Sequence, residues 1–213
     1  MKIKLFTVNP LGENTYIVHD ETAEAVIIDC GAFFEKEKQA IEEYLTDNHL
    51  HLVTHLLTHT HFDHCLGARF IYDHYGLEPR CSAEDQPLYE HIDEQARSMT
   101  GDILRAEKTP VGEAITADSI ITFGNHKFTV IPCPGHTPGG LCFYCAEEKV
   151  LFSGDSLFHM SIGRTDFVGG NHWQLISALK QLLKNLPDDV TIYPGHGPST
   201  NVLFERTNNP YLP

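Results

Sequence analysis

The chain has 213 residues, the size of one ordinary domain, and no Pro/Gly/Ser-rich linker divides it, so we expect a single domain over 1–213. Fifteen Lys and Arg residues against 29 Asp and Glu residues give a net charge of −14, which repels a phosphate backbone and argues against a nucleic-acid partner. No leader peptide and no apolar run of membrane-spanning length is present, so we predict a cytoplasmic protein without a membrane partner.

The first half of the chain alternates between the two-residue period of strands and the 3.6-residue period of helices. Polar and glycine-containing turns separate these segments. The pattern predicts strands over 2–8, 13–18 and 25–29, a helix over 35–45, a buried strand over 52–57 and helices over 64–75 and 84–97.

The second half is richer in strands. The polar segment over 98–118 has neither period, and it is interpreted either as a flap or as a surface connection. Asn171 is placed to cap a helix with a leucine-rich face, which Pro187 ends. The pattern predicts strands over 120–123, 127–132, 140–145, 150–154 and 190–193.

The string Thr-His-Thr-His-Phe-Asp-His over 58–64 directly follows the predicted buried strand. Imidazole nitrogens and carboxylate oxygens are ligands that zinc and similar divalent ions prefer. Alternate residues of an extended chain point to one side, so His59 and His61 can share one ion. Asp63 and His64 point away from that pair and can hold a second ion. Solvated histidines at a strand end are the simpler alternative, but four ligand-type side chains in six residues are hard to explain as packing.

Three later turns each place one ligand-type side chain directly after a glycine at the end of a predicted strand. They carry His136, Asp155 and His196. Each turn alone is weak evidence, but together they complete two sets of three ligands, which leaves the open position that a catalytic metal needs. The first set is His59, His61 and His136, the second is Asp63, His64 and His196, and Asp155 can bridge the two ions.

The order of these motifs resembles that of the metallo-β-lactamase superfamily over essentially the whole chain, from the Asn14-Thr-Tyr strand and the Ile28-Asp-Cys-Gly turn to His196. The resemblance implies an α/β fold, a four-layer αββα sandwich of two mixed β-sheets flanked by helices, with the metal site at one edge. Within the superfamily, Gly154-Asp-Ser-Leu-Phe and Gly163-Arg-Thr-Asp resemble the glyoxalase II group, the hydroxyacylglutathione hydrolases.

This resemblance implies a metal-dependent thioesterase that cleaves a small-molecule hydroxyacyl thioester. It implies two divalent ions, with zinc as the first choice and iron or manganese as alternatives, and a bridging hydroxide as the nucleophile. Asp63 is the implied acceptor of the attacking proton, and Arg164 is the implied substrate-binding residue, with a surface salt bridge as its alternative role. The implied metal ligands are His59, His61, Asp63, His64, His136, Asp155 and His196.

The chain departs from the glyoxalase II pattern in three places. It ends soon after His196, so we expect no C-terminal glutathione-binding helical domain. Pro198 and Asp166 stand where that group has aromatic residues. The chain therefore resembles shorter, single-domain relatives of glyoxalase II, and the carrier thiol stays open.

Other activities are compatible with the same motifs. A persulfide dioxygenase would hold a single iron with His59, His136 and Asp155, a 2-His-1-carboxylate set. A lactonase would use the same two ions as the thioesterase. A β-lactamase is disfavoured because those enzymes are exported and because Asp155 fills the bridging position. A metal-stabilised binding module is the most distant alternative, since structural zinc sites are closed cages.

Several residues near the motifs are given alternative roles. His159 and His172 can reach the mouth of the pocket or lie on the surface. Cys65 begins a helix beside the ligands, where it is either a reactive thiolate or a packing residue. Cys142 and Cys145 lie on one predicted strand at an offset of three, which sends their side chains to opposite faces and argues against a joint role.

Overall fold

The computed structural model describes residues 1–212; Pro213, the last residue of the expected domain, lies outside the described part. The first sheet has the order β1-β2-β3-β4-β5, and it is mixed because its first pairings are antiparallel while β4 runs parallel to both of its neighbours. Its strands are β1 (Lys2–Val8), β2 (Glu13–His19), β3 (Glu24–Ile28), β4 (His51–Leu56) and β5 (Pro79–Arg80).

The second sheet has the order β13-β12-β9-β8-β7-β6 and is also mixed, because β12 pairs in parallel with β9 and the other pairings are antiparallel. A separate hairpin, β10 (Leu157–Phe158) and β11 (Ser161–Ile162), follows β9. The strands of the second sheet are β6 (Ile120–Phe123), β7 (His126–Pro132), β8 (Leu141–Cys145), β9 (Val150–Gly154), β12 (Thr191–Pro194) and β13 (Thr200–Asn201).

Helices lie on the outer face of each sheet. None of those found among residues 1–212 is both long and apolar enough to cross a bilayer. They are α1 (Glu35–Asp47), α2 (Phe62–Cys65), α3 (Ala68–Tyr75), α4 (Gln86–Tyr89), α5 (Ile92–Thr100), α6 (His172–Asn185) and α7 (Val202–Asn208).

Three apolar layers explain how the elements stack. Alternate strand residues from both sheets, such as Ile28 and Phe152, meet in the central layer. On the outer side of the first sheet, Ile27 packs against α1 and α3. On the outer side of the second sheet, Leu151 packs against the leucines of α6, which include Leu179. The structure is the four-layer αββα sandwich of two mixed sheets that the sequence predicts.

Two predicted helices are shorter than expected. The helix predicted over 64–75 is broken at Gly67, whose N–H donates to the Cys30 carbonyl at 2.7 Å and where a side chain would collide with the Cys30 sulfur. The helix predicted over 84–97 is broken at His91, because its N–H turns back to the Leu88 carbonyl three residues earlier. Each break yields two helices in place of one.

The segment over 98–118 is mainly a surface connection. Leu104 and Ala106 are buried against Tyr89, and the Thr109 hydroxyl lies 2.9 Å from the Tyr89 hydroxyl, so the segment is anchored to α4. Sequence analysis did not predict α7 or β13, and the expectation of a single domain over 1–213 stays a prediction.

Candidate metal centre

The seven side chains singled out in the sequence lie together at one edge of the sandwich, where strands β4, β7, β9 and β12 end. His59 and His61 follow β4, and the other five come from α2 and from the turns after the remaining strands. The carboxyl ends of strands are where open α/β sheets place their sites.

The first cluster consists of His59, His61 and His136, each of which offers one nitrogen within 4.8 Å of the others. The ring centroid of His59 lies 4.9 Å from that of His61 and 4.8 Å from that of His136. Nδ1 of His61 lies only 2.8 Å from Nε2 of His136. Three imidazoles therefore face one point.

The second cluster consists of Asp63, His64 and His196, which meet the same 4.8 Å criterion. Nε2 of His196 lies 3.1 Å from Oδ2 of Asp63, and Nε2 of His64 lies 3.9 Å from the same oxygen. This cluster differs from the first because it contains a carboxylate.

Asp155 lies between the two clusters. Its Oδ1 is 3.2 Å from Nε2 of His64, and its Oδ2 is 3.7 Å from Nε2 of both His136 and His196. One carboxylate oxygen therefore faces the second cluster only, and the other faces both. This is the placement that a bridging ligand needs.

Asp29 fixes the orientation of one histidine in each cluster. Its Oδ2 accepts from Nδ1–H of His64 at 3.0 Å and from the Thr58 hydroxyl at 2.7 Å. Because the Thr58 hydroxyl gives its proton to Asp29, it must accept from Nδ1–H of His59, which lies 3.1 Å away. Both histidines are therefore held with Nδ1–H bonded to an oxygen and with Nε2 directed toward the other donors.

His136 is oriented in the same way by the backbone. Its Nδ1–H donates to the Arg164 carbonyl at 2.6 Å, which leaves a lone pair on Nε2. Support of the far ring nitrogen by a carboxylate or carbonyl is typical of histidines that bind metal ions.

Unpartnered buried atoms test whether this donor set suits a cation. Nε2 of His59, Nε2 of His64 and Oδ1 of Asp155 are buried and have no hydrogen-bond partner anywhere in residues 1–212. His64 and Asp155 approach each other without reaching hydrogen-bonding geometry. Leaving such groups unpaired is costly, whereas a divalent cation satisfies nitrogen and carboxylate donors together. The residues present fit a metal ion.

The pKa shifts of the histidines also fit a metal ion. Burial lowers the pKa of His59 well below its usual value and that of His61 to about 3, so both rings are neutral and offer lone pairs. Burial also lowers the pKa of His64, but the carboxylates of Asp155, Asp63 and Asp29 outweigh burial and raise it well above its usual value. The second cluster therefore attracts positive charge.

A clasp of hydrogen bonds holds the His196 turn against the first sheet. The Asn14 backbone N–H donates to the Gly195 carbonyl at 2.8 Å, and the Asn14 side chain donates to the carbonyls of Pro194 and Gly197 at 3.1 and 2.9 Å. A side chain at position 195 would collide with Asp155 and His64, which explains the glycine there.

The clusters open into a cavity of about 670 Å³, with Asp63, His136, Asp155 and His196 among its lining residues. Arg164 also lines it, but its guanidinium is engaged in a bidentate pair with Asp166, at 3.0 and 2.7 Å, and lies over the Phe167 ring at 4.3 Å. The role of Arg164 in substrate binding stays a prediction.

The structure distinguishes between the alternative roles of the histidines and cysteines near the motifs. His159 lines the cavity, whereas His172 lies beside Trp173 at the start of α6 and is absent from the described cavity lining. Cys65 is fully buried, and burial raises the pKa of its thiol well above the usual value, which favours the packing role. Cys142 and Cys145 pack in different apolar layers, on opposite faces of β8.

Sequence reasoning missed the residues that support the donors. Asp29, Thr58 and Glu13 are examples: Glu13 is fully buried, with Oε1 3.8 Å from Nδ1 of His64. The signal available for Asp29 was its position in a polar turn directly after a strand of apolar residues. Phe167, whose ring centroid lies 5.2 Å from that of His61, gave no signal.

The αββα sandwich and the paired donor clusters at its edge define an enzyme class, the metal-dependent hydrolases. The donor clusters fit the divalent ions, often two, that such proteins use. The chain belongs to the metallo-β-lactamase superfamily, whose family model matches residues 8–196. The membership predicted from the motifs is confirmed.

Similar proteins are known in sequence and in structure. Hydroxyacylglutathione hydrolase GloC of Haemophilus influenzae is 36% identical over 220 residues, which cover 100% of this chain and 98% of that protein. The crystal structure of the BLEG-1 B3 metallo-β-lactamase has a TM-score of 0.89 and 32% identity, covering 99% of both chains. The structure of TTHA1623 in a di-iron-bound form has a TM-score of 0.85 and 36% identity, covering 98% of this chain and 100% of that one.

Proposed function

We propose that this protein hydrolyses a hydroxyacyl thioester of a small thiol, in the manner of glyoxalase II. The observation that carries the proposal is the set of unpartnered donors around Asp155 at the end of an open cavity. The similarity to a hydroxyacylglutathione hydrolase supports the choice of substrate class. The proposed metal ligands are His59, His61 and His136 for one cation and Asp63, His64 and His196 for the other, with Asp155 between them.

Two divalent cations, zinc in the first place and iron or manganese as alternatives, would when bound lower the pKa of water to near neutrality and polarise an acyl carbonyl. The chain's own residues orient these donors. Asp29 and the Arg164 carbonyl lock the histidine tautomers, and burial keeps His59 and His61 neutral.

Asp63 is the proposed catalytic residue because it faces the cavity as a carboxylate. Burial raises its pKa, but the neighbouring His64 and the hydrogen bond from His196 outweigh burial and lower it. Asp63 is therefore a carboxylate, and because it lines the cavity we propose that it accepts the proton of the attacking water.

The reaction needs no protein nucleophile. The water oxygen stays on the acyl carbon, the C–S bond breaks, and the thiolate that leaves takes up the proton. Thiolate is a good leaving group, so a strong general acid is unnecessary. All six cysteines are free thiols in the described chain, which supports the proposal of a cytoplasmic enzyme.

β-Lactam hydrolysis is a second candidate, because the BLEG-1 relative is named a B3 metallo-β-lactamase. The persulfide dioxygenase and lactonase alternatives stay predictions, and the di-iron form of TTHA1623 keeps iron in consideration as the metal.

The test combines metal analysis with substrate comparison. Protein purified without added metal is assayed by elemental analysis, and thiol release is measured from S-lactoylglutathione beside β-lactam, lactone and persulfide substrates. We expect about two metal equivalents and thioester cleavage. One iron with oxygen consumption on the persulfide would contradict the proposal, as would β-lactam turnover without thioester cleavage.

A matched pair of histidine variants completes this test. His59→Ala removes a proposed ligand, so it should abolish turnover and lower the metal content of the protein. His74→Ala removes a histidine on the exposed face of α3, about half accessible, and should change neither. Full turnover of His59→Ala in the absence of metal would refute the proposed role of the cluster.

A further inference from the structure

Apolar side chains form much of the wall of the cavity. Leu88 of α4, Met99 of α5 and Phe158 and Ile162 of the β10–β11 hairpin all line it. Phe167 and Val168, from the loop before α6, also line the cavity. The lining is therefore mainly apolar beyond the donors themselves.

These walls begin directly at the donors. The Phe167 ring centroid lies 5.2 Å from that of His61, and the Phe158 ring centroid lies 6.3 Å from that of His196. A substrate whose thioester reaches Asp155 therefore has apolar surface next to its reacting group.

Two wall residues remain unusually exposed for their type. Met99 is 49% exposed and Val168 is 82% exposed. Exposed apolar side chains that line one concave surface mark a binding site for an apolar group more often than chance exposure does. Covering them with a substrate chain would remove this surface from water.

The scarcity of cationic side chains in the cavity also favours an uncharged substrate group. Among the described lining residues, Arg164 is the one Lys or Arg side chain, and Asp166 already occupies its guanidinium through two hydrogen bonds. A carrier with several carboxylates would have to compete with Asp166 for this single cation. An uncharged chain meets no such competitor.

We propose that the substrate carries an apolar chain of several carbons attached to the thioester, and that this chain packs against the lining residues Met99, Phe167 and Val168. This inference rests on the proposed thioester hydrolysis and adds the substrate class to it. The chain is attached through the acyl group or through the thiol, and both attachments present the same chemistry to these walls.

The experiment uses the metal-loaded protein and two series of synthetic thioesters. The first series keeps N-acetylcysteamine as the thiol and compares 2-hydroxyoctanoyl with lactoyl. The second series keeps lactoyl and compares octanethiol with N-acetylcysteamine. A fully buried methylene contributes about a fourfold gain in binding, so we expect the longer chain to raise kcat/KM at least about tenfold in one series, mainly through a lower KM.

Variants link that gain to the walls. Met99→Ser and Val168→Ser alter exposed side chains, so both should fold, and each should reduce the gain about threefold. Ile103→Ser changes an apolar residue that is 73% exposed and outside the described cavity lining, and it should leave the gain intact. Binding of a non-hydrolysable octyl thioether, measured by calorimetry, should weaken in the same two variants.

The outcomes separate the two proposals. If no thioester is cleaved, the proposed function itself is wrong. If the lactoyl thioester of N-acetylcysteamine is cleaved and neither series shows a gain from the longer chain, the proposed function stands and the apolar substrate class is wrong. An equal gain in wild type, Met99→Ser and Val168→Ser would overturn the assignment to these walls.

Discussion

Buried carboxylates lie at both ends of the sandwich, and their surroundings differ. At the end where β2 stops and β7 starts, Asp20 accepts hydrogen bonds from Thr22, the Asn125 N–H and His126, at distances between 2.6 and 3.0 Å. At the opposite end, Oδ1 of Asp155 has no hydrogen-bond partner within the described chain.

The two carboxylates therefore have different roles: one stabilises the fold, and the other is available to a ligand. Because Asp20 is fully satisfied, it joins the turn after β2 to the turn before β7 and stabilises the packing of the two sheets. Asp155 and the histidines around it keep open donor positions, which cost stability unless a ligand fills them. Of the seven unpartnered buried side-chain atoms among the described residues, four lie at the proposed site, on Glu13, His59, His64 and Asp155, and the other three belong to His19 and His55.

Asp155→Asn is the strongest test of this contrast. The amide cannot bridge two cations as a carboxylate does, so we expect turnover to fall about 1000-fold or more and the metal content to drop from about two equivalents. Elemental analysis and thiol-release assays measure both effects.

Thermal unfolding gives Asp155→Asn an independent readout. A chelator should lower the Tm of wild type by removing ions that bind only the folded state, and it should have a much smaller effect on the variant. Equal chelator effects on the two proteins would show that Asp155 does not hold the cations.

Asp29→Asn tests whether the Asp29 carboxylate holds the proposed metal ligands in place. The neutral amide holds Nδ1–H of His64 and the Thr58 hydroxyl less firmly, so metal affinity should fall about 10- to 100-fold. Competition with a chromophoric chelator measures it. Asp20→Asn is the matched control, since it changes a buried carboxylate away from the donors, and comparable loss of affinity in both variants would contradict the assigned role of Asp29.

Asp20→Asn should instead affect folding, with a loss of about 1–3 kcal/mol in the free energy of unfolding at neutral pH. Burial raises the pKa of Asp20, but hydrogen bonds from Thr22 and Asn125 outweigh it, and the net pKa lies below the usual range. Its stabilisation is therefore fully present above the unfolded pKa of about 4 and is lost as pH falls through the folded pKa.

Denaturant titrations over a pH series measure this difference. The gap between wild type and Asp20→Asn should be constant above about pH 5 and shrink below about pH 4, with turnover unchanged at neutral pH. A gap that is the same at all pH values would mean that ionised Asp20 is not the source of the stabilisation.

Asp166→Ala has the smallest expected effect. It frees Arg164 from an exposed ion pair, and water screens such pairs so that they are weak, so kcat/KM for S-lactoylglutathione should rise only about threefold. The value for a thioester of an uncharged thiol should not change, and an equal rise for both substrates would exclude a role for Arg164 in holding a carboxylate.

The sequence predicts most of the fold because its strands and helices carry clear periodicity. The central strands around Ile28 and Phe152 and the leucine face of α6 were all found as expected. The convergence of the seven donors was also predictable, since glycine turns put His136, Asp155 and His196 at strand ends that meet at one edge. Their roles as ligands stay predictions.

The remaining features depend on tertiary contacts that local patterns do not encode. Asp29 supports His59 and His64 only because the turn after β3 lies against residues 58–64. The break at Gly67 depends on the approach of Cys30, and the engagement of Arg164 depends on a side-chain conformation. Helix α7 is short, and it is tied down by Glu205, which accepts from Thr200 and Asn209.

The clasp formed by Asn14 gives the site a kinetic property. His196 follows a strand of the second sheet, yet its turn is hydrogen-bonded to β2 of the first, so opening this side of the pocket requires these hydrogen bonds between the sheets to break. Captured ions should consequently have long residence times, and the speed of isotope replacement should follow the breathing of the whole sandwich. Weakening the clasp with Asn14→Ala would then make the ions labile without altering any side chain that touches them.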